Sequence, residues 1–137
     1  MPRKRIHPET GAELFRDVRD FKVRYGGRSR TVRVVGWYPS GKGDGILVGS
    51  DMEPIGRALA DIKAEMQGVL KPGEVRAIRV RLKLSQRKAG ELLGGGPRSF
   101  QKYESGAVLV SKPMTQLLKL LERDPKRLKE LTGTKAA

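Results

Sequence analysis

Three consecutive glycines, Gly94–Gly96, lie inside LSQRKAGELLGGGPRSFQKYESG, residues 84–106. Each glycine costs about 1 kcal/mol in a helix interior, so no helix runs through three of them. The segments on either side must be separate elements, and the glycines must be a phosphate cradle, a linker or a tight turn. A phosphate loop needs GxxxxGK[ST] after a strand, and a dinucleotide fingerprint needs GxGxxG between strand and helix. Here the preceding segment reads as a helix, and neither Lys-Ser nor Lys-Thr follows. Three residues are too few for a linker, and Pro97 at once restarts a helix. A turn between two helices fits: glycine takes positive φ at a helix end without steric cost and lets helices approach closely.

The neighbouring segments read as short helices. GEVRAIRVRLK sets Val75, Ile78 and Leu82 on one side and Arg76, Arg79 and Lys83 on another. SQRKAGELL opens with Ser85 as N-cap and buries Ala89, Leu92 and Leu93. PRSFQKYES starts with Pro97 at its first position. SKPMTQLLKLLER starts with Ser111 and Pro113 and carries Met114, Leu117, Leu118 and Leu121, and DPKRLKEL repeats the device with Asp124 and Pro125. The tail 132–137 is expected to fray. On a wheel of ~100° per residue, Phe100 and Tyr103 face inward while Arg98, Gln101 and Lys102 form an outward polar arc. That arc is the candidate base-reading set, since Arg or Lys to guanine is the commonest specific contact. Ser85, Gln86, Arg87, Ser99 and Lys112 are the candidate phosphate contacts, with Lys88 beside them; Ser85 serves equally well as a simple cap. Glu104 is expected to cap or pair locally.

Charge supports a polyanionic partner. The chain of 137 residues carries 29 Lys+Arg against 15 Asp+Glu, net +14. The second half, 71–137, holds 16 basic and 6 acidic residues; the first, 1–70, holds 13 and 9, and there a solubilising surface is the simpler reading. Cysteine is absent, which removes disulfides and thiolate metal sites and agrees with a reducing cytoplasm. No apolar run approaches the ~20 residues of a membrane span, and the basic start MPRKRIHPETG lacks the apolar region of a secretory signal. Aromatic content is 5%, too low for base-stacking platforms of the RNA-binding kind. No His–carboxylate–nucleophile set is visible, so no enzyme is expected and no cofactor either.

Gly68, Pro72 and Gly73 mark a hinge, giving expected domains 1–70 and 71–137. Upstream, Phe21, Val23 and Tyr25 share one face with Val18 out of register, GG at 26–27 is a turn, and Val32, Val34 and Gly36 share a face. This is a β-hairpin, with 46–48 as a third short strand. A helix follows from Ser50, whose Glu53 three residues on has capping-box spacing. Its stripe Ile55, Leu59, Ile62 and Met66 is expected to pack on the hairpin. The fold class is therefore α+β: a small N-terminal hairpin or sheet plus helix, and an all-α C-terminal helix-turn-helix domain of five helices.

The segments Leu84-Ser85-Gln86, Gly94-Gly95-Gly96 and Phe100-Gln101-Lys102-Tyr103-Glu104-Ser105-Gly106 resemble the C-terminal helix-turn-helix domain of MqsA-like antitoxins, within the larger Xre/Cro group. The resemblance places base-reading positions on Arg98 and Lys102. Arg98 stands where the best-known member has Asn, so the target sequence should differ; Lys102 keeps the charge of an Arg. GWYPSGKGDGILVGSDMEPIGRAL is similar to the family's N-terminal domain, in which WYCxxCG and CPxCG motifs supply four thiolates to a structural zinc. The matching positions here are His7, Thr10, Pro39 and Lys42, which cannot make a tetrahedral zinc site, and His7 is expected to be an ordinary surface residue. The resemblance implies a cytoplasmic bacterial antitoxin that represses its own operon as a homodimer on palindromic double-stranded DNA and neutralises a protein toxin through its N-terminal domain. Leu117, Leu118 and Leu121 suit either the dimer seam or the core of one domain. The alternatives are a stand-alone Xre-type repressor without a toxin, and an RNA-binding basic protein.

Overall fold

A computed structural model describes residues 4–132. Of the tail 132–137 expected to fray, Thr132 is helical and 133–137 lie outside the described residues. The chain is α+β and divides into two compact units, 1–59 and 60–137.

The first unit is built on a three-stranded antiparallel sheet in the order β1 (Lys4–Ile6), β2 (Glu13–Tyr25), β3 (Arg28–Tyr38). Register pairs Phe15 with Tyr38 and Tyr25 with Arg28 without interruption. Period-2 alternation then puts Phe21, Val23 and Tyr25 on the same face as Val32, Val34 and Gly36, with Val18 on the other, as the sequence pattern requires. The third strand is β1, however, and not 46–48. Ile46 makes a single bridge to Trp37, with backbone bonds of 2.9 and 2.7 Å, and the chain then leaves the sheet. Burial within the hairpin is uneven: Leu14, Val23 and Val34 are buried while Phe21 and Tyr25 remain exposed.

The helix α1 (Glu53–Gln67) is preceded by a 3-10 turn at Gly49–Met52. Ser50 is not its cap. Asp51 accepts the Val48 N–H at 3.0 Å and closes the turn instead. The expected stripe on α1 also needs correction: Ile62 is buried, Met66 is exposed, and the other buried positions are Ala58, Ala60 and Ala64. Ala60 lies where a Cβ on Gly106 would meet it at 3.0 Å.

Five helices follow in the second unit: α2 (Pro72–Arg81), α3 (Gln86–Leu93), α4 (Ser99–Ser105), α5 (Lys112–Arg123) and α6 (Leu128–Thr132), with a 3-10 turn at Pro125–Arg127. Val75 and Ile78 of α2 and Leu82 just after it pack with Ala89, Phe100, Val110, Met114, Leu118 and Leu121 in one core. Ser85 and Ser111 cap α3 and α5 by accepting the N–H of Lys88 and Met114 at 3.0 and 3.2 Å. Asp124 makes no such side-chain bond. Leu118 and Leu121 belong to this core, leaving Leu117 half-buried and Leu120 exposed.

Candidate nucleic-acid interface

The glycine turn has a geometry that only glycine adopts easily. Gly94, Gly95 and Gly96 have φ of 112°, 93° and 96°. Its tightness depends on a fourth glycine that the sequence pattern does not reveal: a Cβ on Gly90 of α3 would sit 1.9 Å from the Gly96 carbonyl oxygen. The turn thus folds back onto α3, and Ser99 fastens it by donating its hydroxyl proton to the Gly96 carbonyl at 2.9 Å. Ser99 is almost buried in doing so.

The helix after the turn begins two residues later than the proline suggests. Pro97 and Arg98 form a turn, and α4 starts at Ser99 with Arg98 as its N-cap. The three positive-φ glycines delay helical geometry beyond the proline. The i, i+4 relation survives, since the Arg98 carbonyl accepts the Lys102 N–H at 3.3 Å. Arg98, Gln101 and Lys102 are all exposed. Arg98 and Lys102 also line one shallow concavity with Gly95, Gly96, Pro97, Tyr103 and Val108, which Gln101 does not join. On the inner side Phe100 is fully buried and meets Tyr103 edge-on, centroids 5.3 Å apart.

What orients α4 is a buried ion pair that the sequence pattern does not announce. Arg79, expected on a polar side of its helix, points inward. Its Nε and Nη2 donate to the two carboxylate oxygens of Glu104 at 2.6 and 3.0 Å, and its Nη1 donates to the Leu84 carbonyl at 2.8 Å. Gln86 adds a bond from Nε2 to Glu104 Oε1 at 3.1 Å. The side chains of Arg79 and Glu104 are only 13% and 6% exposed, so the pair is desolvated and bidentate. The bond to Glu104 raises the Arg79 pKa above its ordinary value. One signal could have found the pair: the helical wheel puts Glu104 about 40° from Phe100, and a carboxylate on an inward face demands a partner.

The candidate phosphate contacts are differently engaged. Ser85 caps α3, Gln86 holds Glu104, and Ser99 holds the turn. Lys112 Nζ donates to the Gly68 carbonyl at 3.1 Å. Arg87 is exposed on α3 and pairs with Glu91 one turn along at 3.4 Å.

His7, Thr10, Pro39 and Lys42, the positions that the resemblance matches to zinc ligands, lie in the first unit. His7 is buried rather than superficial: Nδ1 accepts the N–H groups of Glu9 and Thr10 at 3.1 and 3.4 Å and closes the β1–β2 turn. Pro39 offers only a carbonyl, which accepts from Arg19. Thr10 and Lys42 complete a set with neither thiolate nor carboxylate, and among the described residues there is no group of three His, Cys, Asp or Glu able to hold a metal. The four positions therefore do not fit zinc. Charge does the bracing here: Arg16 donates from Nη1 and Nη2 to the two carboxylate oxygens of Asp51 at 2.9 and 3.0 Å. Arg16 and Arg5 each lie 5.2 Å from the Trp37 ring centroid. The Arg16 bond and the Val48 N–H hold the Asp51 carboxyl down at a pKa of about 2.

The fold is α+β, with a braced sheet in one unit and five helices with an exposed basic lip in the other. Over residues 7–132 the chain matches the family described as the antitoxin component of the bacterial toxin-antitoxin system, MqsA, and it belongs to that family. It is 31% identical over 77 residues to Antitoxin MqsA of Escherichia coli (strain K12), an alignment covering 53% of this chain and 59% of that relative. No helix among the described residues is long and apolar enough to cross a membrane.

Proposed function

We propose that the chain is a DNA-binding antitoxin that represses its own operon and neutralises a cognate toxin. The observation that carries the DNA-reading half is the lip of α4: Arg98 and Lys102 side by side, exposed, on a helix locked from behind by Arg79, Glu104 and Phe100. A rigid scaffold with flexible cations at its edge is the arrangement that helix-turn-helix readers present to a major groove. Arg98 and Lys102, with Gln101 beside them, read base edges. Ser85, Arg87 and the neighbouring N–H groups of α3 set the register on phosphate, and Gln86, Ser99 and Lys112 act mainly by holding the scaffold. Two copies on a palindrome place two such helices about one DNA turn, ~34 Å, apart.

Membership of the family supports the toxin half, which we assign to the N-terminal sheet and its helix, residues 1–70. Two experiments test the reading. Footprinting on the DNA upstream of the protein's own gene should show a protected palindrome, and its absence removes the repressor role. Co-expression with the neighbouring reading frame should yield a co-purifying partner; a chain that protects the operator yet never acquires a partner is a stand-alone repressor.

A further inference from the structure

An exposed apolar side chain stands beside the cations of the α4 lip. Among the described residues of the second unit, Met66, Val80, Val108 and Leu120 are large, apolar and exposed. Val108, 48% exposed, is the one of these that lines the concavity of Arg98 and Lys102. Gly95 and Gly96 add no side chain to that lining, Pro97 is exposed in it, and Tyr103 is half-buried. The concavity thus combines two cations with a mainly apolar lining.

The backbone fixes where Val108 stands. Gly106, with φ of 83°, ends α4 in a left-handed conformation that glycine adopts without strain. The chain then folds back onto the helix. The Lys102 carbonyl accepts the Val108 N–H at 3.3 Å and the Ser105 hydroxyl at 3.2 Å, and Ser105 Oγ accepts the Ala107 N–H at 3.3 Å. Two residues beyond Val108, Val110 is buried in the core. Val108 is therefore held on both sides, and its side chain takes no part in the bonds that hold it. One of its anchors is the backbone of Lys102, whose side chain is a candidate base reader.

Phosphates and polar base edges suit Arg98 and Lys102, but they gain nothing from an isopropyl group. Pressed against them, an apolar wall strips water from polar groups without replacing its hydrogen bonds. In the major groove, the apolar group on a base edge is the C5-methyl of thymine. Packing that methyl on Val108 removes apolar surface of both from water. We propose that Val108 is a specificity-determining residue that packs on the C5-methyl of a thymine neighbouring the guanine read by Arg98 or Lys102. This rests on α4 being the base-reading helix, and it adds a second kind of base contact outside that helix.

The test uses the full chain and the upstream duplex, with single thymines replaced by deoxyuridine at symmetric positions of the two half-sites. Uracil keeps the hydrogen-bonding edge of thymine and lacks the methyl group. At one thymine position the wild type should lose about fourfold in affinity per half-site, the worth of one buried carbon. Val108→Ala should bind the thymine duplex more weakly and no longer separate it from the uracil duplex, with its melting temperature unchanged. Val108→Ile keeps an apolar tip and should keep the distinction. Arg98→Ala, run in parallel, should relax its own base position and still separate thymine from uracil. A wild type that binds thymine and uracil duplexes equally at every position overturns the methyl contact, as does a Val108→Ala chain that separates them as the wild type does. Either result leaves the operator reading standing if the wild type still prefers the upstream duplex to a scrambled one. Without that preference the operator reading fails, and the methyl contact fails with it.

Discussion

Each unit contains a bidentate arginine–carboxylate pair whose carboxylate is buried, Arg79–Glu104 and Arg16–Asp51, and the two are used differently. Arg79–Glu104 is closed off from water and adjoins the apolar core around Phe100. Arg16–Asp51 has one partner 40% exposed and the other 7%. The first pair fixes the angle of a helix whose outer side is free to act. The second ties β2 to the 3-10 turn that precedes α1. A buried pair contributes little net stability against an apolar substitute, yet removing one partner leaves an uncompensated charge. An edge pair is screened and yields more gently.

This contrast can be broken first at its stronger end. Glu104→Ala should destabilise the second unit by about 3–5 kcal/mol, since it strands the Arg79 guanidinium in the core. Chemical denaturation checks this, and a loss below ~1 kcal/mol would mean that the pair is solvated like its counterpart. Gly90→Ala comes next, at roughly 1–3 kcal/mol or more, because the new methyl group collides with backbone rather than with a flexible side chain. Its thermal melting should drop while the sheet of the first unit keeps its circular dichroism.

The edge pair predicts a pH effect. Asp51 has its pKa lowered from 3.8 to about 2, so its contribution is complete above pH 3.8 and lost as pH falls toward 2. Asp51→Asn should flatten that part of the stability profile of the first unit, with little added loss below pH 2. An identical acid profile for both proteins would remove the ion pair from the account. The smallest effect belongs to Lys83, which has φ of 61° where α2 ends, with Leu84 and Lys83 N–H groups returning to the Arg79 and Val80 carbonyls. Lys83→Gly relieves a left-handed conformation and should raise stability by roughly 0.5–1 kcal/mol, read as a small rise in melting temperature.

Local chemistry made part of the structure legible from sequence. Ser85 and Ser111 announce their helices because a cap acts within three residues, and the hairpin faces follow from a period of two. Signals that depend on distant neighbours were not legible. Glu104 is 25 residues from Arg79, and β1 is three residues with no alternation to reveal it. Ser50 had capping-box spacing, but Asp51 already closes that turn through Val48. Alternation shows which side chains share a face and not what covers it, so Phe21 and Tyr25 proved exposed where Val23 is buried. At the candidate site, the outward arc of Arg98, Gln101 and Lys102 was readable from helical geometry alone. The groups that hold it in place, Gly90 and Arg79, were not.

The most direct test is the affinity of the wild type and of Arg98→Ala for the upstream duplex and for a scrambled one, at one fixed salt concentration. Arg98→Ala is expected to lose roughly 1–3 kcal/mol on the upstream duplex, with little change on the scrambled one. Equal losses on both duplexes would make Arg98 a phosphate contact and contradict base reading by α4.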